Sequence, residues 1–269
     1  MNKDPIRVAV AGAAGRMGRE VVRAVVEAGD MSLLAAIDRT EVGHDAGEIA
    51  GMDAIGVPIT SDIDEALKSS CAHVLVDFTV PASAMGNIEA AMRVGVSPVV
   101  GTTGLTPDDL SQVRAWTKEF GHSALVAPNF AIGAVLMMEF AAQAAKYMPD
   151  CEIIELHHEK KLDSPSGTAL MTAHRIAAVR KHAPVPSPEG TVEKIPGGRG
   201  AESGQVHIHS VRLPGHVAHQ EVIFGGLGQT LTIRHDSIDR RSFMPGVLLA
   251  IRKVRELDGL VVGLEHLLE

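Results

Sequence analysis

Cysteine is scarce in this chain: Cys71 and Cys151 are the only two among 269 residues, and they lie far apart. That excludes a disulfide-built scaffold and suits a reducing compartment, so both are read as small buried apolar side chains. Long apolar runs are missing as well. The longest candidate, 131–145, is interrupted by Glu139 and Gln143, which fits a buried or amphipathic helix and not a membrane span. Positive charge is in deficit: 25 Lys and Arg against 33 Asp and Glu give a net charge of −8, with a pI near 5.9. Nothing in that balance favours nucleic acid or an anionic membrane, although an acidic average leaves room for local cationic pockets. The opening Met1-Asn2-Lys3-Asp4-Pro5 leads straight into the apolar run Ile6–Ala11, without the pattern of a targeting segment. A soluble, cytoplasmic protein is expected. No internal repeat or low-complexity tract is present.

What the chain does have is 45% hydrophobic content over a length that fits two domains. The run 6–11 ends at Gly12-Ala13-Ala14-Gly15-Arg16-Met17-Gly18, and the apolar recurrence of a helix follows from Glu20 to Ala28. The spacing is G-x-x-G-x-x-G, a departure from the commoner dinucleotide fingerprint that keeps its logic. Small residues let the turn tighten and the backbone approach a pyrophosphate, while the new helix points its positive end at the charge. A second strand, 33–37, ends at Asp38-Arg39. An acid about 20 residues past the loop can accept from an adenosine ribose, and Arg39 can pair with a 2′-phosphate or stack on adenine. The residues thus point to NADH or NADPH, with a surface ion pair as the alternative.

Strand and helix patterns then alternate: 74–78, 81–94, 98–100, 107–120 and 124–127. That order implies a parallel sheet with its ligand at the carboxyl ends of the strands. Gly101-Thr102-Thr103 and Ala127-Pro128-Asn129-Phe130 fall at such ends and are placed to line the nicotinamide half of a cleft; as plain turns they would need no function.

The densest chemistry lies at His157-His158-Glu159-Lys160-Lys161-Leu162-Asp163-Ser164-Pro165-Ser166-Gly167-Thr168, between a strand pattern and a helix pattern. Adjacent strand residues face opposite ways, so the two imidazoles diverge unless the strand has already ended. Cations beside a helix start form an anion site with a proton donor at hand. A structural histidine or a plain helix cap would account for any one of these residues, but packing has no use for the whole cluster. A metal is not expected, since adjacent strand ligands diverge and the lysines repel a cation.

Downstream, 183–204 is rich in Pro, Gly and Ser, either a mobile lid or an ordered functional loop. Arg199 in its middle is expected at a solvated tip. Runs 205–213, 217–224 and 229–235 are read as an antiparallel meander turned by Pro214-Gly215 and by 225–228. His207, His209, His216, His219 and His235 are taken as sheet-face or interface residues. Arg240-Arg241-Ser242-Phe243 opens a last helix through Arg255, and 261–268 trails after it.

The stretch His157-His158-x-x-Lys161-x-Asp163-x-Pro165-Ser166-Gly167-Thr168-Ala169 closely resembles the signature of the 4-hydroxy-tetrahydrodipicolinate reductase family of bacterial lysine and diaminopimelate biosynthesis. The family form carries Ala where Ser164 stands. The likeness extends over essentially the whole chain, through the glycine loop, Asp38-Arg39, the 101–104 turn, Asn129-Phe130 and the closing helix. It implies an α/β architecture: a Rossmann-type parallel-sheet nucleotide domain over 1–130, completed by 241–269, and an α+β substrate and oligomerisation domain over 131–240 with a mainly antiparallel sheet. It further implies His157 as proton donor and Lys161 as a second acid/base or electrostatic group. His158, Ser166, Gly167 and Thr168 would hold the carboxylates of a cyclic dicarboxylate, and the assembly would be a homotetramer. Two other readings stay open: a nicotinamide dehydrogenase of a semialdehyde or sugar, and a non-catalytic dinucleotide sensor.

Overall fold

The β-branched opening run becomes an inner strand of a parallel sheet. In the computed structural model, which describes residues 4–268, that strand is β1 (Ile6–Ala11). Met1-Asn2-Lys3, part of the opening read as free of a targeting segment, lies outside the described residues. Helix α1 (Arg16–Glu27), β2 (Met31–Ile37), the short α2 (Ala46–Ile49), β3 (Ile59–Thr60) and α3 (Ile63–Ser70) follow. Next come β4 (Val74–Asp77), α4 (Pro81–Arg93), β5 (Ser97–Val100), α5 (Pro107–Phe120) and β6 (Ala124–Val126). The sheet is completed from the far end of the chain. After α8 (Met244–Lys253), β12 (Leu260–Val262) pairs in parallel with β6, giving the order β12-β6-β5-β4-β1-β2-β3. The trailing segment after the last helix therefore contains a strand that sequence patterning does not reveal; three residues are too few for an alternation to register.

Alternation of small and branched residues decides which helix packs on which face. Ala9, Ala11, Ile37 and Leu75 are buried with Ala66 and Leu67 of α3 and with Ala90 and Ala91 of α4. Val21, Val22 and Val25 of α1 are fully buried, as are Val247, Ala250 and Ile251 of α8. α3 is legible afterwards from Asp62, whose carboxylate caps it by accepting from the Glu65 N–H at 3.0 Å. One compact unit runs up to Phe130 and resumes at Phe243; the other comprises Ala131–Ser242.

The second unit is built on a five-stranded sheet in the order β11-β10-β7-β9-β8. Its elements are α6 (Ile132–Ala145), β7 (Asp150–His157), α7 (Gly167–Val179), β8 (Ala201–Ser203), β9 (Val206–Arg212), β10 (Ala218–Gly226) and β11 (Gln229–Ser237). The expected meander is only half present. β10 and β11 form the hairpin across Leu227-Gly228, but β7 lies between β9 and β10, antiparallel to β10 and parallel to β9. Pro214-Gly215 therefore serves a connection that crosses β7 and not a hairpin turn. The physical reason is burial: Ile153 of β7 is fully buried between Ile208 of β9 and Val222 of β10, a place an edge strand could not offer. α6 and α7 pack together and against one sheet face.

The expectation for the cysteines is corrected. Cys71 is exposed, in a left-handed conformation at the end of α3, and Cys151 is half-buried beside Arg180, so neither is a plain buried apolar residue. Arg199 is exposed, as expected, and also ion-pairs with Glu152 of β7. The loop 183–204 holds β8, which pairs antiparallel with β9. Among the described residues, no helix is long and apolar enough to cross a membrane.

Candidate active site

The glycine loop after β1 is shaped by two close approaches. Gly12 has φ +80°, and a side chain there would meet the Phe78 carbonyl at 2.6 Å; one at Gly18 would meet the Gly12 carbonyl at 1.9 Å. The loop's own N–H groups are largely used: Gly12 and Ala13 donate to the Ile37 carbonyl and Gly15 to that of Gly12. Ala14 donates to Asp38 at 3.0 Å. By contrast, the N-cap of α1 is Gly15, which offers no capping side chain, and the first turn holds no acid. Those first N–H groups suit a pyrophosphate.

A cavity of about 320 Å³ at this edge is lined by Gly12, Gly15, Asp38, Arg39, Phe78 and Thr79, among others. Asp38 Oδ1 accepts from both the N–H and the hydroxyl of Thr40, whereas Oδ2 accepts only from Ala14 N–H and keeps a second acceptor site for a ribose. A second cavity, also about 320 Å³, is lined by Met17, Phe78, Thr79, Gly101, Thr102, Thr103, Pro128, Asn129, Phe130 and Phe243. Phe78 and Thr79 belong to both, so the two form one groove across the carboxyl ends of β1, β4, β5 and β6. Of the expected cofactor residues, Ala13, Ala14, Arg16 and Ala127 line neither cavity; Ala127 is buried and donates its N–H to the Val100 carbonyl.

Sequence reading missed the centre of this groove. Asp77, fully buried at the end of β4, accepts from Thr79 (N at 3.0 Å, Oγ1 at 2.8 Å), from Thr102 Oγ1 at 2.7 Å and from Asn87 at 2.7 Å. The proton of the Thr102 hydroxyl is therefore committed to Asp77, and its oxygen is left as an acceptor. An acid ending a strand next to Phe-Thr was the available signal.

In the second unit β7 ends at His157, so His158 already lies beyond the strand and the divergence rule for adjacent residues does not bind the pair. His157 Nδ1 lies 2.5 Å from Glu155 Oε2. Glu155 has no exposed surface and is clasped by Arg212, whose Nη1 and Nη2 donate at 2.9 and 2.7 Å. Burial pushes the Glu155 carboxyl up, but hydrogen bonds from His157, Arg212 and Ser210 outweigh it and hold the group at about 2. At neutral pH it is a carboxylate and only accepts, so Nδ1 of His157 carries the proton between them.

The loop after β7 is tied to the same pair. Arg212 also donates to the Asp163 carbonyl at 2.8 Å, and the Ser166 N–H donates to Glu155 Oε1 at 3.2 Å. Ser166 then caps α7 by accepting from Ala169 N at 3.2 Å. Gln220 of β10 donates to Thr172 Oγ1, which donates to the Thr168 carbonyl, both at 2.7 Å, so the sheet fixes the first turn of α7. Lys161 donates to both oxygens of Asp163 at 2.7 and 2.9 Å, and its ammonium holds the Asp163 carboxyl below the usual range. His158 Nδ1 is buried without a hydrogen-bond partner. The structure thus brings His157, Lys161, Ser166 and the start of α7 into one hydrogen-bonded loop, with Glu155 and Arg212 as members the sequence reading lacked. Glu155 stands two residues before His157 on the same strand face, and that spacing was the signal for it.

Family models for dihydrodipicolinate reductase match both parts of the chain, the N-terminal model over residues 6–130 and the C-terminal model over 133–268. The chain belongs to the dihydrodipicolinate reductase family. It is 53% identical over 265 residues to a 4-hydroxy-tetrahydrodipicolinate reductase of Desulfitobacterium hafniense, covering 98% of this chain and 99% of the relative. A 4-hydroxy-tetrahydrodipicolinate reductase of Geobacillus kaustophilus is 54% identical over 264 residues, with 98% and 99% covered. Among solved structures, a dipicolinate-bound dihydrodipicolinate reductase from Paenisporosarcina sp. TG-14 superposes with a TM-score of 0.86 at 44% identity, over 97% of this chain and 99% of that one. An amine dehydrogenase from Mycobacterium smegmatis, at 14% identity and a TM-score of 0.67, shares the fold.

Proposed function

We propose that this protein reduces 4-hydroxy-tetrahydrodipicolinate, through its dehydrated form, to tetrahydrodipicolinate in lysine and diaminopimelate biosynthesis. The observation that carries the reading is the loop between β7 and α7, where a buried-carboxylate-bound imidazole, an ammonium group and a helix start share one hydrogen-bonded segment. Membership of the family over both units supports it. Neither a sugar dehydrogenase nor a dinucleotide sensor needs two anion-holding features beside a proton donor.

The groove after β1, β4 and β5 fits a reduced nicotinamide dinucleotide. Gly12 lets the loop turn tightly against the Phe78 backbone, the uncapped start of α1 suits the charge of a diphosphate, and Thr79, Thr103 and Asn129 line the far half. The reduced nicotinamide, when bound, supplies the hydride. The chain supplies the rest: the start of α7 and His158 hold carboxylates, and Lys161 exchanges Asp163 for a substrate carboxylate. His157, its Nδ1–H held by the Glu155 carboxylate, acts as the imidazolium, giving the Nε2 proton to the carbon next to the one reduced and returning to the neutral Nδ1–H form. Asp38 and Arg39 side by side suit both NADH and NADPH.

A tetramer is part of the same proposal. The sheet face opposite α6 and α7 leaves Leu156, Val211 and Ile223 half-exposed, and β11 is an edge strand. Light scattering at micromolar concentration is expected to give four times the chain mass, and a monomer would refute it.

Titration with dipicolinate tests the substrate class. With NADPH present, saturable heat is expected, and Lys161→Ala should weaken the affinity by about tenfold, the loss of one charge-assisted contact. No heat at millimolar dipicolinate would refute the dicarboxylate reading.

A further inference from the structure

We infer that Glu155, clasped by Arg212, is a positioning residue that fixes the tautomer and orientation of His157 for proton transfer. The inference rests on the reading of His157 as the proton donor. Ile153, Glu155 and His157 follow one another along one face of β7; Ile153 lies between buried Ile208 and Val222, while Glu155 itself lies between Ser210 and Gln220. A neutral polar side chain would satisfy those two neighbours. A carboxylate must be desolvated, and such a pair is often no better for folding than apolar residues of the same shape. Fold stability therefore gives no reason for the acid.

The geometry does give one. Arg212 approaches both oxygens, Ser166 N–H takes Oε1, and His157 Nδ1 takes Oε2 at 2.5 Å. A fully ionised acceptor whose other directions are filled leaves the imidazole no choice: Nδ1 must donate, and Nε2 is left as the exchangeable site. Carboxylates that orient a working imidazole act this way in general. Arg212 does a second job through the Asp163 carbonyl, placing the loop that carries Lys161. Imidazole, lysine loop and α7 start are thus indexed to one buried carboxylate.

The test combines imidazole nitrogen NMR with steady-state kinetics on the full chain, His157→Gln serving to assign the His157 signals. In the unaltered protein, Nδ1 of His157 should carry a proton throughout. Glu155→Gln can accept from Nδ1 or donate to it, so a mixed tautomer is expected, with kcat reduced about 10- to 100-fold and the KM for NADPH unchanged. Because that variant leaves the Arg212 guanidinium without its counter-charge, Glu155→Gln/Arg212→Met is made beside it. The double variant should regain melting temperature without regaining kcat. Recovery of kcat along with stability would reduce the carboxylate to a structural role and overturn the inference. So would an unchanged tautomer, or wild-type kcat in a folded Glu155→Gln protein. An unaltered chain that oxidises no NADPH on the proposed substrate would overturn the functional reading, whereas an unfixed His157 tautomer in a chain that does turn over would overturn this inference alone.

Discussion

Arg39 is exposed at the end of β2 and lines the same cavity as Asp38 and Gly12. A guanidinium there meets a 2′-phosphate as a charge-assisted contact worth on the order of 1–3 kcal/mol. Arg39→Ala should therefore raise the KM for NADPH by roughly tenfold or more while leaving that for NADH nearly unchanged; equal losses would mean that Arg39 stacks on the adenine. His157 carries the second prediction at this scale. His157→Gln should lower kcat by roughly 10²–10⁴, the range for a positioned acid, with cofactor KM intact, and near-wild-type turnover would remove the general-acid role. His157 and Lys161 were legible because imidazoles and ammonium groups crowded before a helix start have few structural uses. Glu155 and Arg212 were not legible as a pair. They are separated by 57 positions and meet only through the β7–β9 register, which pairs His157 with Arg212. Asp77 escaped for a similar reason, since its partners come from β5's end and from α4.

Elements with a strong local signal were readable and those defined by pairing were not. α5 opens with Pro107 behind a Thr106–Asp109 capping box and closes on Gly121, and its bounds match the sequence expectation. The place of β7 in the middle of its sheet depends on non-local pairing, so nothing in 205–235 reveals that β9 leaves its sequence neighbour. The start of α7 is where element and chemistry coincide. A side chain at Gly167 would meet no protein atom within 4 Å. Gly167→Val should accordingly leave the melting temperature nearly unchanged, yet raise the KM for the dicarboxylate on the order of tenfold by displacing it from the backbone N–H groups. An unchanged KM would put the carboxylate elsewhere.

For the whole molecule, composition and α/β alternation indicated the architecture, and the return of residues after Phe243 to the first unit follows from β12 pairing with β6. In the proposed function each unit brings its own half of the chemistry: a groove at strand ends for a dinucleotide, and a loop built around His157 for a dicarboxylate. A sugar or semialdehyde dehydrogenase would need the first without the second. The measurement that decides is a coupled assay in which the dipicolinate precursor is generated in place with the purified chain and NADPH or NADH present. Reduced-nicotinamide absorbance should fall only when the precursor is supplied. No fall with the precursor, or an equal fall with a sugar or a simple semialdehyde in its place, would contradict the account.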